Sequence, residues 1–116
     1  MSFESVLASL VSAPGALGAA FIDPQGQTVA TAGDPAATEV VGALQSVWLS
    51  ELGRATGRAG LGAVQDLSLD FETCRVLSAE VKDGYFLLVV FSADGLPSIA
   101  RSRLDEAREQ LVREIG

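Results

Sequence analysis

The run Tyr85-Phe86-Leu87-Leu88-Val89-Val90-Phe91 constrains this chain more than any other feature, because it has no polar side. It is far too short for a helix that crosses a bilayer, which needs roughly 20 apolar residues, and is rich in the residue types that favour strands. A strand that is apolar on both sides must lie inside a sheet and be covered above and below. Helices are therefore expected on both faces of one sheet. With 116 residues the chain has the length of one domain, expected to span residues 1–116.

The rest of the pattern supplies those elements. Phe3, Val6, Leu7, Leu10 and Val11 recur at helical spacing behind Ser2, whose hydroxyl can cap the first turn, and Ala13-Pro14-Gly15 ends the helix. Leu17 to Ile22 and Thr28 to Ala32 read as two strands joined by the turn Asp23-Pro24-Gln25-Gly26. Asp34-Pro35 is a strong helix start, and the helix it opens runs to about Gly57. Gln65 to Phe71 alternates, with Leu67, Leu69 and Phe71 on one face and Asp66, Ser68 and Asp70 on the other. Cys74 to Val81 alternates again, and Lys82-Asp83-Gly84 turns the chain into the apolar run. A last helix carries Leu96, Ala100, Leu104, Ala107, Leu111 and Ile115 as its stripe. The order is α-β-β-α-β-β-β-α, an α+β arrangement with strands paired mainly as antiparallel hairpins.

The long second helix is apolar over too wide an arc. Ala37, Val41, Leu44, Trp48, Leu52 and Ala55 form one stripe, and Val40, Val47 and Leu49 broaden it, so the helix needs cover on more than one side. Gly42, Ser46, Ser50, Gly53 and Gly57 form a second row of small residues. That row reads either as a solvent face or as a place where another backbone approaches closely.

Catalytic readings find little footing. The chain has no histidine, which removes the commonest general base, the commonest metal ligand and any Ser/His or Cys/His pair. Cys74 is the single cysteine, and Arg75 beside it points to the other side of a strand, so a structural role is expected. Asp66, Asp70 and Glu72 read as solvated carboxylates of a strand and its turn rather than a metal site. Gly57, Gly60 and Gly62 lack the Gly-Lys-Ser/Thr ending of a phosphate-binding loop, and no helix opens after Gly15 and Gly18 as a dinucleotide fingerprint requires. Cofactors and metals are not expected, nor is an enzyme. Acidic residues outnumber basic ones by 15 to 8, for a net charge of −7, which repels phosphate backbones and anionic lipid heads. One cysteine and no charged-then-apolar leader at Met1 to Val11 point to the cytoplasm.

Taken together, Pro14-Gly15-Ala16-Leu17-Gly18-Ala19 leading into the first strand, Ile22-Asp23-Pro24-Gln25-Gly26 at the hairpin, the long second helix, the apolar fifth strand and a last helix starting near Leu96 resemble the Roadblock / dynein light chain 7 family. The resemblance implies an α/β/α sandwich: a five-stranded antiparallel sheet with one long helix on one face and two helices on the other. It also implies homodimers, or heterodimers with a paralogue, formed by third strands pairing edge to edge while second helices pack together. On this sequence those surfaces fall on Val41, Gly42, Ser46, Trp48, Leu49, Ser50, Gly53, Gln65, Leu67 and Leu69. The family supplies noncatalytic adaptors and regulators of Ras-like small GTPases, in bacteria including those of the MglB type, and that is the expected function. The competing expectations are an adaptor for a non-GTPase partner, such as a sensor kinase or motor complex, and a small-ligand sensor. A GTPase-activating role is not expected to carry over from fold alone.

Overall fold

A computed structural model describes residues 2–62, 64–94 and 97–115, with the side chains at 44–46, 48–50 and 97 outside the description. The elements are α1 (Phe3–Val11), β1 (Ala16–Ile22), β2 (Thr28–Gly33), α2 (Pro35–Arg58), β3 (Asp66–Asp70), β4 (Cys74–Lys82), β5 (Tyr85–Ser92) and α3 (Pro97–Ile115). Type and order follow the sequence pattern, with boundaries shifted by a residue or two. Leu96, placed on the last helical stripe, lies outside the described residues.

The local signals act as their chemistry suggests. The Ser2 hydroxyl accepts from the Ser5 amide at 3.2 Å, and the Asp34 carboxylate accepts from the Ala36 amide at 3.0 Å, each satisfying a donor that its helix leaves unpaired. In the first hairpin Asp23 Oδ1 accepts from the amides of Gln25 and Gln27, both at 2.9 Å, and Gly26 takes the positive φ that the turn requires. In the second, Asp83 and Gly84 both have positive φ, the conformation that matches the twist of the flanking strands.

The five strands lie in the order β2-β1-β5-β4-β3, and every neighbouring pair is antiparallel. β5 is thus the central strand, as its two-sided apolarity demands. Leu87, Val89 and Phe91 point into a core shared with Val6, Leu7 and Leu10 of α1 and Leu104 and Leu111 of α3. Leu88 and Val90 point the other way, into a smaller core with Ala20, Ile22 and Val76, against which Val41 of α2 packs. One face of the sheet carries α1 and α3, and the other carries α2. Phe21 sits at the centre of the larger core, its ring 4.9 Å from that of Phe3 and 5.4 Å from that of Tyr85.

α2 lies over β1, β2 and β5. Its 24 residues make a rod of about 36 Å. Among the described residues its contacts with β4 and β3 are sparse by comparison. Leu52 and Ala55, expected on the buried stripe, are exposed.

Candidate interaction site on α2 and the β3 edge

β3 closes one edge of the sheet. The Gln65 carbonyl accepts from the Glu80 amide and the Phe71 amide donates to the Cys74 carbonyl, both at 2.8 Å, so the ladder with β4 continues one residue beyond each end of the strand. These two bonds fix which backbone groups β4 uses. Residues 65, 67, 69 and 71 turn theirs toward β4, and Asp66, Ser68 and Asp70 turn theirs away from the sheet. Three consecutive alternate residues thus offer unpaired N–H and C=O groups, the template that a further strand requires.

Beside that edge the surface is apolar. Leu67 and Leu69 are half-buried on the α2 side, and with Glu51 and Leu52 they line an open groove of about 300 Å³ between helix and edge strand. Val40 and Val47, seven residues apart, share a stripe on the outer surface of α2 and are 64% and 61% exposed, while Leu52 is 41% exposed. The excess apolar width read from the sequence is therefore uncovered in this chain.

The predicted site residues divide. Leu67 faces the groove, Leu69 reaches both the groove and the smaller core, and Gln65 is exposed at the start of the edge. Val41 is half-buried on the smaller core, and Gly42 is buried with a hypothetical Cβ only 3.0 Å from Ile22 Cδ1. Gly42 thus brings α2 close to the chain's own sheet; it is not on an outer surface, because it lies on the opposite side of the helix from Val40. Gly53 lies almost directly in line with Gly42 along α2, but nothing approaches its hypothetical Cβ within 4 Å, so that face is filled at one end and open at the other. The side chains of Ser46, Trp48, Leu49 and Ser50 lie outside the described residues. Sequence reading missed Glu51 and Leu61; Leu61 is strongly exposed just past the helix, a position whose burial no periodicity reports.

On the α3 side of β3 the carboxylates have cationic neighbours. Asp70 pairs with Arg75 at 2.5 Å, and Asp66 lies 3.7 Å from Arg101 of α3. Among the described residues no group of three or more His, Cys, Asp or Glu side chains is gathered as a metal ion requires. Cys74 is half-buried against the smaller core. No helix among the described residues is long and apolar enough to cross a membrane.

The family model for the Roadblock/LC7 domain matches residues 2–91, which takes in β1 to β4, α2, the edge described above and β5 up to its last residue. The chain belongs to the Roadblock/LC7 family. Solved structures similar to this chain include Myxococcus xanthus MglB, with a TM-score of 0.88 at 17% identity over 97% of this chain and 94% of that one. A Roadblock/LC7 domain from Streptomyces avermitilis has a TM-score of 0.86 at 16% identity, covering 97% and 96%. Myxococcus xanthus MglC has a TM-score of 0.73 at 25% identity, covering 98% and 99%. No curated protein matches the sequence.

Proposed function

We propose that this chain is a noncatalytic regulatory and scaffold subunit that pairs with a second Roadblock/LC7 chain through β3 and α2, and that the pair binds and modulates a Ras-like small GTPase. The observation that carries the reading is the coincidence of two unmet needs at one place. The β3 edge has backbone groups without a strand to receive them, and the neighbouring α2 surface has apolar side chains without cover. A second copy related by a twofold axis answers both, because one continuous sheet forms while the helices cover each other. The GTPase partner is what family membership and the likeness to MglB suggest. The cytoplasm is the proposed compartment, in keeping with a single cysteine.

The small-ligand reading has less support. The groove of about 580 Å³ between β4 and α3 is lined by Asp105, Arg108, Glu109 and Arg113 along with Val81 and Val112, a charged and open surface rather than an apolar pocket. The adaptor reading without a GTPase uses the same α2 and β3 surfaces.

Val47→Glu combined with Leu52→Glu tests the pairing. Both positions are exposed in the isolated chain, so folding stability should change by no more than about 0.5 kcal/mol per site. Burying two charges per chain should weaken self-association by about 100-fold or more, read by sedimentation equilibrium. An unchanged dimer would remove α2 from the interface. For the partner, immobilised protein is expected to retain a Ras-like GTPase from the same source in one nucleotide state; no retention in either state would leave only the adaptor reading.

A further inference from the structure

Asp66-Leu67-Ser68-Leu69-Asp70 reads the same in both directions. An antiparallel pair of two such strands, with the twofold axis perpendicular to the sheet, keeps each face of the sheet on its own side. Leucines then meet leucines and aspartates meet aspartates. Among the registers that respect those faces, the one centred on Ser68 engages all three outward-turned residues: Ser68 pairs with its own copy and Asp66 with Asp70. Centring on Leu67 or Leu69 leaves one of the three without a strand residue opposite.

That register has an electrostatic consequence. Two rows form across the seam on the α3 side, each with Asp70 of one copy directly opposite Asp66 of the other, and like charges directly opposite each other are unfavourable. The same two carboxylates are the ones held by arginines from neighbouring elements, Asp70 by Arg75 of β4 and Asp66 by Arg101 of α3. Each row therefore reads Arg75, Asp70, then Asp66 and Arg101 of the second copy, and is neutral. Resting on the β3 pairing proposed above, we infer that the chain recognises a second copy of itself in the Ser68-centred register, and that Arg75 is the residue that permits it by neutralising the carboxylate row. A strand lacking this palindrome, or a chain lacking the β4 arginine, leaves the row unbalanced and is disfavoured as a partner.

The test compares wild type, Arg75→Ala, Arg75→Ala with Asp66→Asn, and Ser68→Pro by sedimentation equilibrium at low and high ionic strength, with circular dichroism confirming that each folds. Arg75→Ala should weaken self-association roughly tenfold at low ionic strength, since each of the two rows then keeps only Arg101 against two carboxylates and carries a net negative charge. Raised salt should recover much of that loss, and adding Asp66→Asn should restore affinity to within about threefold of wild type. Arg75→Ala associating as tightly as wild type, or Asp66→Asn failing to rescue it, overturns the inference. Ser68→Pro separates the two levels of the argument, because the Ser68 amide makes no bond to β4 and proline is tolerated at such an edge position. If Ser68→Pro leaves the pair intact, or if wild type is monomeric, the strand pairing itself is wrong and the inference falls with it. If Ser68→Pro dissociates the pair and Arg75→Ala does not, only the charge assignment is wrong.

Discussion

Phe21→Ala is expected to destabilise the fold by about 4 kcal/mol, because Phe21 is the largest fully buried side chain among the described residues. Phe21 is fully buried in β1, next to the central strand, and its ring contacts Phe3 of α1 on one side and Tyr85 of β5 on the other. Its removal takes away more than apolar area. Two aromatic contacts that tie α1 and the start of β5 to β1 disappear, and neighbours held by backbone ladders on both sides of β1 cannot close the void. For a domain of this size the melting temperature should fall by roughly 15 °C, measured by differential scanning calorimetry. Phe21→Leu keeps most of the volume and should recover more than half of the loss. A shift of only a few degrees for the alanine variant would mean that the larger core repacks freely.

Gly33→Ala is expected to cost about 2–4 kcal/mol, although it adds one methyl group. Gly33 ends β2 with φ near +80°, and a Cβ there would lie 2.5 Å from the Leu17 carbonyl oxygen and 2.8 Å from Gly18 Cα. Both are backbone atoms of β1, so no side-chain rotation relieves the contact. The same Leu17 carbonyl accepts from the Asp34 amide at 3.0 Å, and Asp34 caps α2. Pushing β2 off β1 therefore also disturbs the start of the helix proposed to meet the partner. The melting temperature should drop by about 10 °C, whereas Gly53→Ala, with open space around it, should hold or slightly raise it. Equal behaviour of the two variants would contradict the close approach at Gly33.

The elements of this fold were legible because each announces itself over a short stretch. The two-sided apolarity of Tyr85 to Phe91 placed β5 in the middle of the sheet, and Ser2 and Asp34 marked helix starts that their side chains do cap. The interaction surface was legible only in outline. Leu67 and Leu69 were visible from alternation, but the small row on α2 was not a single kind of surface, since Gly42 packs on Ile22 while Gly53 is open. No periodicity distinguishes them, because both lie on one face of the helix and differ only in what lies opposite them.

What the sequence determined by itself is therefore the set of elements, their order and the need for cover on both faces of one sheet. Periods of 2 and 3.6 record burial locally, and turn and cap residues act within a few positions. Only the tertiary structure decided that β1 joins β5 to unite the two halves of the sheet, that β3 is left with the backbone groups of Asp66, Ser68 and Asp70 turned outward, and that α2 packs mainly on β1, β2 and β5. It also set Arg75 and Arg101 beside the two aspartates of that edge. These are relations between residues far apart in the chain, and their energies appear only when the segments meet.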